Sequence, residues 1–219
     1  MFGAARPMPP EKEAVFGAAE FQARTGATPE QMADLERFRT LLEEWNQRIN
    51  LVGPSAMQQF WLRYAFDSAQ LLELAPNSLR WADLGAGAGL PGVVLAIMLK
   101  GRPGVRVNLV ESLTKRCRFL EEAVATLELP AVVHNDRAEN LTLSVDIVTA
   151  RACAPLVRLF DYALPYMKKG AVGLFLKGQD VATEVAAARP KWRFDLELIP
   201  SLSDPSGRIL RVERMSRAR

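Results

Sequence analysis

Residues 81–92 read Trp-Ala-Asp-Leu-Gly-Ala-Gly-Ala-Gly-Leu-Pro-Gly, a glycine-rich stretch between two unlike patterns. An apolar run typical of a strand, residues 79–84, leads into it, and a helical pattern over residues 91–100 follows. Glycines in a strand–turn–helix unit let the backbone turn tightly and approach a ligand closely. The stretch therefore predicts a cofactor-binding loop at the end of a strand in an α/β sheet.

Short apolar runs and amphipathic helical patterns alternate through the rest of the chain. Strands are predicted over Leu79–Leu84, Val105–Val110, Ala131–His134, Asp146–Ala150, Ala171–Leu176, Phe194–Ile199 and Ile209–Val212. Helices are predicted over Pro91–Lys100, Leu113–Leu127, Pro155–Tyr166 and Val181–Ala188. Repeated strand–helix units favour a mostly parallel sheet that is covered on both faces. Turn residues 203–207 separate the last two strands, so we expect a Rossmann-like α/β sheet that ends in an antiparallel hairpin.

The chain before residue 77 follows a helical pattern. Residues 1–9 have prolines and no periodicity, and we predict disorder there. Residues 10–76 are predicted to form a helical extension packed on the core, and residues 77–219 the catalytic domain. Within the helical extension, residues 28–31 give a good signal for the start of a helix. Thr28 can cap the helix, Pro29 suits its first turn, and Gln31 can close a capping box. A further helical stretch is predicted from Ser55 to about Leu74.

Composition excludes several classes of protein. The chain has 219 residues, 49% of them apolar and 24% charged, which argues against a disordered, collagen-like or coiled-coil protein. Its 28 Lys and Arg against 25 Asp and Glu give a net charge of +3, too weak by itself to indicate nucleic-acid binding. One histidine and two cysteines are too few for the roughly four ligands of a structural zinc site. We expect no metal, no membrane segment and a cytoplasmic location.

Two classes of cofactor compete for the glycine loop. Residues 87–92 match Gly-x-Gly-x-x-Gly, and Glu111 closes the next strand about 20 residues later, as in a dinucleotide site. S-adenosylmethionine is favoured by Asp83, because a carboxylate suits its cationic aminoacyl end and would repel a diphosphate. Pro91 also favours it, because proline removes an N–H that a pyrophosphate would use. The terminal hairpin favours it too, and the absence of a following Gly-Lys-Ser/Thr excludes a Walker P-loop.

Candidate cofactor residues follow from the same loop and from the ends of the next two strands. Gly85, Gly87 and Gly89 would admit the ligand to the backbone. The two carboxylate oxygens of Glu111 can hold both ribose hydroxyls, unless Glu111 is simply a solvated strand-end acid. Ala138 and Glu139 follow the third predicted strand, where such a sheet would contact the adenine, unless they form an ordinary loop.

Several motifs between residues 28 and 215 resemble one known family. They are Trp45-Asn46, Ile49-Asn50-Leu51, Asp67-Ser68, residues 83–92, Glu111-Ser112-Leu113, Lys115-Arg116, Arg137 with Glu139, Thr149-Ala150-Arg151-Ala152 and Lys177-Gly178-Gln179. On these residues the chain resembles the glucose-inhibited division protein B family, also called ribosomal RNA small-subunit methyltransferase G. Two positions depart from the family pattern: Tyr64 stands where histidine is usual, and Thr149 where serine is more frequent.

The resemblance implies a function and a set of contacts. The fold would be the class I methyltransferase sheet, and the enzyme would use S-adenosylmethionine to methylate guanine N7 in 16S ribosomal RNA, in the small subunit or its precursor. Cofactor contacts are implied at Gly85, Leu90, Ala138, Glu139 and Arg151, with Glu111 at the ribose. A basic rim facing RNA is implied at Arg116, Arg137, Arg151 and Lys177. An NAD(P)-dependent oxidoreductase and a non-enzymatic RNA-binding module are the alternative functions.

The implied chemistry suits a chain with one histidine. Guanine N7 already has a lone pair, so no base need remove a proton. The reaction rate then depends mainly on how the enzyme positions the methyl donor and the guanine. We assign substrate positioning to Arg151 and Lys177. A salt bridge from Arg151 to Glu139 or Asp146, and a surface location for Lys177, are the structural alternatives. His134, Cys117 and Cys153 are expected to be structural, which argues against a covalent cytosine-C5 methyltransferase.

Overall fold

The computed structural model describes residues 16–53 and 57–218. The predicted disorder of residues 1–9, the start of the helix predicted from Pro10 and the predicted cap at Ser55 lie outside the described residues. Helix α1 spans Ala18–Thr25 and α2 spans Pro29–Asn46. The capping box at Thr28 is confirmed: its Oγ1 accepts from the Gln31 N–H at 3.2 Å, and the Gln31 side chain accepts from the Thr28 N–H at 2.8 Å.

A seven-stranded sheet forms the centre of the molecule, with strand order β3-β2-β1-β4-β5-β7-β6. Its strands are β1 Arg80–Leu84, β2 Arg106–Glu111, β3 Ala131–Asn135, β4 Ile147–Arg151, β5 Val172–Lys177, β6 Trp192–Pro200 and β7 Arg208–Arg217. The first five strands are parallel, and β7 runs antiparallel to both β5 and β6. The predicted parallel sheet with an antiparallel hairpin is therefore confirmed. From β1 the chain first adds β2 and β3 on one side and then β4 and β5 on the other, so the strand order reverses beside β1. Open α/β sheets bind ligands at such a point.

Helices cover both faces of this sheet. They are α5 Gly92–Met98, α6 Thr114–Thr126, α7 Leu156–Met167 and α8 Val181–Ala188. Side chains alternate between two apolar clusters along the central strands, so Trp81 packs in one cluster and Ala82 in the other. The first cluster contains α5 and α6, and the second contains α7 and α8.

The N-terminal helices share the first apolar cluster with the sheet. After α2 the chain continues through a 3-10 turn Met57–Gln59, a π-helix Phe60–Phe66, and the short helices α3 Asp67–Ala69 and α4 Leu71–Leu74. Phe38 packs on Phe119 with ring centroids 6.3 Å apart, and the Gln31 amide donates to the Met98 carbonyl at 2.8 Å. This packing holds α2 against α5 and α6, and contacts between α3 and α5 place the π-helix and α3 beside the sheet.

The described part of the chain, residues 16–53 and 57–218, has no helix that is both long and apolar enough to cross a membrane. Across the same ranges, no group of three or more His, Cys, Asp or Glu side chains is arranged to hold a metal ion.

Candidate functional site

The glycine loop after β1 is bent by three residues of positive φ. Gly85, Gly87 and Gly89 have φ of 69°, 50° and 78°, values that side chains other than glycine rarely adopt. A Cβ at Gly85 would lie 2.5 Å from Cys153 Sγ, and one at Gly89 would lie 2.6 Å from Val93 Cγ2. At Gly87 the nearest atoms would be 3.5–3.9 Å away, an ordinary van der Waals distance, so a Cβ would not clash there. Gly85 and Gly89 are thus required by packing as well as by φ, whereas Gly87 is required by its φ alone and borders a cavity of about 280 Å³ under the loop.

Asp83 lies directly behind this loop and is fully buried. Its Oδ2 accepts from the Gly92 N–H at 2.8 Å at the start of α5, and its Oδ1 has no hydrogen-bond partner among the described residues. Burial raises the pKa of Asp83 to about 7, and the negative charge of Glu111 adds to the effect. The carboxyl group therefore shapes the loop from the inside. Its predicted contact with the aminoacyl end of the cofactor stays a prediction.

Glu111 ends β2 with both carboxylate oxygens bonded to backbone. Oε2 accepts from the Gly87 N–H at 3.0 Å and Oε1 from the Leu113 N–H at 2.9 Å. Arg116 Nη1 lies 3.8 Å from Oε2. Because each carboxylate oxygen can accept two hydrogen bonds, Glu111 can also receive the hydroxyls of a sugar. The carboxylate thus connects the glycine loop to the edge of the cavity described next.

A cavity of about 310 Å³ opens beside Glu111. Gly85, Ala138, Glu139 and Tyr162 are among its lining residues. Ala138 is buried, and its carbonyl accepts from the Tyr166 hydroxyl at 3.0 Å, which fixes the turn after β3. The structure therefore brings predicted cofactor residues from the ends of β1, β2 and β3 into one cavity.

Arg151, at the end of β4, is held by two side chains from the N-terminal helices. Its Nε lies 3.5 Å from Asp67 Oδ2, and its guanidinium carbon lies 4.7 Å from the centroid of the Tyr64 ring. The predicted alternative of a salt bridge to Glu139 or Asp146 is wrong: Glu139 pairs with Arg137, and Asp146 pairs with Arg80. Burial lowers the pKa of Arg151, and the charge of Asp67 opposes that change. Nη1 is buried and, within the described ranges, has no hydrogen-bond partner.

The structure differs from the prediction at Lys177. Its side chain is only 8% exposed, and Nζ donates to the Ala154 carbonyl and to Glu184 Oε2, both at 2.7 Å. Glu184 Oε2 also accepts from the Leu156 N–H at 2.6 Å. Lys177 therefore ties the loop after β4 to α8, and its charge is already compensated. The prediction that Lys177 is a free cation on an RNA-facing rim is therefore wrong.

Of the other predicted rim residues, Arg137 is exposed, Arg116 is half-buried and Arg151 is mostly buried. Arg116 lies near Glu111 and lines the 310 Å³ cavity, and Arg137 is 73% exposed in its pair with Glu139. Both can reach a large polyanion from the side of the cavity where the turn after β3 lies.

A second cavity, of about 710 Å³, adjoins the first. Arginines 63, 151 and 208 line it, together with Asp67 and Lys177. Ala152 and Cys153 belong to the linings of both cavities, and Ala152 has a φ of 48°, uncommon for a residue with a side chain. A third cavity, of about 280 Å³ under the glycine loop, is also bordered by Ala152 and Arg151. The three cavities meet at the turn that follows β4.

His134 and the two thiols have structural surroundings. His134 Nε2 bonds to Asn108 Oδ1 at 3.0 Å, and burial lowers its pKa. Burial raises the thiol pKa of both Cys117 and Cys153 to about 11, so both thiols stay protonated at neutral pH. A protonated thiol is a poor nucleophile, which agrees with the expectation that neither cysteine forms a covalent intermediate.

Comparison with known proteins decides the family. The profile of the family described as rRNA small subunit methyltransferase G matches residues 31–207. A protein named ribosomal RNA small subunit methyltransferase G from Caulobacter vibrioides is 62% identical over 94% of this chain and 96% of its own length. The chain belongs to the rRNA small subunit methyltransferase G family. A relative of the same name from Parvibaculum lavamentivorans is 43% identical over 90% of this chain and 89% of its own.

The sheet of this methyltransferase G family member is shared with solved methyltransferases. The crystal structure of magnesium protoporphyrin IX methyltransferase from Synechocystis with bound S-adenosylmethionine gives a TM-score of 0.52 at 12% identity. The match covers 85% of this chain and 97% of that one. The family resemblance seen in the sequence and the fold prediction are confirmed, and the predicted cofactor, S-adenosylmethionine, agrees with membership of a methyltransferase family.

Sequence reasoning about this family member missed two side chains of the site, Asp67 and Tyr64. Asp67 belongs to a motif that resembles the family, and Tyr64 departs from the family pattern, but both lie more than 80 residues from Arg151 in the chain. Spacing alone cannot show that the π-helix and α3 pack on the end of β4. The signal that could have found them was the Asp67-Ser68 motif in a segment with no other assigned role.

Proposed function

We propose that this protein methylates guanine N7 in 16S ribosomal RNA of the small subunit or its precursor, and that it does so in the cytoplasm. The observation that carries the proposal is that the cavity beside Glu111 and the larger, arginine-lined cavity meet at Ala152 and Cys153. A methyl donor in the first cavity and a base in the second would approach each other at that turn. Family membership supports the reaction class and the RNA substrate.

The residues present fit S-adenosylmethionine. Gly87 borders the cavity under the glycine loop, Glu111 has unused acceptor capacity for the ribose, and the buried Ala138 offers an apolar surface for the adenine. Gly85, Gly89 and Leu90 shape the loop, and Glu139 borders the same cavity. When bound, the cofactor supplies a methyl group on a sulfonium, and guanine N7 receives it with its own lone pair. No residue of this chain needs to remove a proton.

In this proposal the protein acts by binding and orienting its two ligands. The Arg151 guanidinium lines the larger cavity, and its buried Nη1, which has no hydrogen-bond partner among the described residues, is a donor that can hold guanine O6 or a neighbouring phosphate. Arg116 and Arg137 would attract the RNA backbone at the entrance of the cofactor cavity. Lys177 supports the site by fixing the Ala154 carbonyl rather than by touching RNA. Orientation of this kind can supply much of the rate of a displacement that needs no acid or base.

The test is methyl transfer to small ribosomal subunits from cells that lack the gene, followed by mass spectrometry of the RNA. We expect one added methyl group that blocks N7 of a single guanine. Thermal denaturation with S-adenosylmethionine or NADH provides the second arm. Stabilisation by NADH alone would favour an oxidoreductase, and stabilisation by neither would favour a simple RNA-binding module.

A further inference from the structure

Arg151 reaches its cavity in one fixed orientation. Asp67 faces Nε at 3.5 Å, and the Tyr64 ring packs on the guanidinium at 4.7 Å. Because the guanidinium is planar and rigid, fixing Nε and one face also fixes the direction of both Nη groups. Nη1 is the atom that is buried without a partner among residues 16–53 and 57–218. A buried unpaired donor is costly, so its presence suggests a ligand atom that satisfies it.

The carboxylate of Asp67 is itself held by groups from two parts of the chain. The Gln70 side-chain amide donates to Asp67 Oδ1 at 2.9 Å. The Ser203 hydroxyl also donates to Oδ1, and the Ser201 hydroxyl lies 3.4 Å from it. Both serines lie in the β6–β7 loop, residues 201–207. The side-chain oxygen Oε1 of Gln70 also binds this loop, by accepting from the Leu202 N–H at 2.8 Å. These bonds occupy Oδ1 and leave Oδ2 for Arg151.

We propose that Asp67 is a positioning residue that aims the Arg151 guanidinium at the substrate base, and that Ser203 in the β6–β7 loop holds Asp67 in place. This inference rests on the proposed function, in which Arg151 orients guanine. It assigns a role to the N-terminal helices and to the terminal hairpin, neither of which supplies a predicted cofactor residue. Misaligning a positioning group by about 1 Å can lower a rate about 100-fold without removing the group itself.

The test compares Asp67→Asn, Ser203→Ala, Arg151→Ala and the Asp67→Asn/Arg151→Ala double variant. Asp161→Asn is the matched control, because Asp161 also pairs with an arginine, Arg217, but lies outside the lining of the three cavities. Methyl transfer to small subunits and cofactor affinity by calorimetry are measured for each. We expect Asp67→Asn to lower kcat about 10- to 100-fold while cofactor affinity changes less than about twofold. Ser203→Ala should cause a smaller loss of the same kind, and the control should match the wild type.

The double variant separates positioning from general stability. If Asp67 acts through Arg151, adding Asp67→Asn to Arg151→Ala lowers the rate by no more than about twofold, whereas independent effects would multiply. Wild-type kcat in both Asp67→Asn and Ser203→Ala, or multiplied losses in the double variant, would overturn the inference. Should Asp67→Asn fail to fold, Ser203→Ala and its double variant with Arg151→Ala decide. A wild-type rate for Arg151→Ala would instead overturn the role of Arg151 itself, and absent methylation by the wild type would overturn the proposed function.

Discussion

The carboxylate of Glu111 at the end of β2 accepts the backbone N–H of Gly87 at 3.0 Å. This bond joins the glycine loop to the neighbouring strand. It also fixes the conformation of Gly87, whose φ is 50°. The two residues therefore form one hydrogen-bonded unit, and changes at either should affect the cofactor more than the fold.

Gly87→Val should abolish S-adenosylmethionine binding and leave the fold intact. A Cβ at Gly87 would stand 3.9 Å from both Glu111 Oε2 and Arg116 Nη1, on the side where the ligand belongs. Gly101→Val is the matched control, because Gly101 has a φ of 81° and nothing within 4 Å of its would-be Cβ. Both variants should lose about 1–2 kcal/mol of stability from left-handed strain. Calorimetry should show cofactor binding in the Gly101 variant alone, and unchanged affinity in Gly87→Val would show that the ligand lies elsewhere.

Glu111→Gln should weaken cofactor binding by about 1–3 kcal/mol, the range for a hydrogen bond to a charged group. The amide has a single acceptor oxygen, so it cannot serve Gly87, Leu113 and a ribose as the carboxylate can. Glu122→Gln, on the exposed face of α6, controls for the loss of one negative charge. Titration calorimetry measures both variants, and equal affinities would remove Glu111 from the ribose site.

Lys177→Ala should lower the stability of the protein, whereas Arg137→Ala should change the salt dependence of RNA binding. Removing Lys177 leaves Glu184 and the Ala154 carbonyl without their shared donor, so we expect a stability loss of about 1–3 kcal/mol. The salt dependence of RNA binding should not change. Removing the exposed Arg137 should leave stability unchanged and make the salt slope shallower by about one. Denaturant unfolding measures the stability of both variants, and RNA titrations at several salt concentrations measure the salt dependence of binding. A shallower salt dependence for Lys177→Ala would support the sequence-based prediction that Lys177 contacts RNA.

Most of the fold could be predicted from local sequence patterns, because apolar strands and amphipathic helices can be recognised in short stretches of sequence. Six of the seven strands were predicted to within two residues at each end, whereas β7 continues to Arg217, five residues beyond its predicted end. The capping box at Thr28 is present with both of its bonds. Glu111 at the end of β2 and Ala138 in the turn after β3 could be placed at one cavity, because parallel strands end at the same edge of a sheet. What could not be predicted depends on packing between distant segments. The Glu184 carboxylate that neutralises Lys177 comes from α8, and the Asp67 carboxylate that holds Arg151 comes from the N-terminal helices.

The stability of the protein relative to Asp83→Asn should fall as pH rises from about 4 to about 7. The native carboxyl has a pKa of about 7, raised mainly by burial, against about 3.9 for an unfolded aspartate. Between these values the native state keeps a proton that the unfolded chain has released, so raising the pH favours unfolding. Above about pH 7 both states are ionised, and the difference between the proteins becomes constant. The asparagine variant lacks this titration, so denaturant unfolding of both proteins across the window isolates Asp83.

Cofactor binding over the same pH range tests whether the Asp83 charge acts beyond the loop. If the ionised carboxylate attracts the aminoacyl ammonium, as its sequence position predicts, wild-type affinity should rise relative to Asp83→Asn as Asp83 ionises near pH 7. Calorimetric titrations of the two proteins on either side of that pH give the comparison. A constant ratio of affinities would confine Asp83 to its bond with the Gly92 N–H, where it holds the first turn of α5 against the loop.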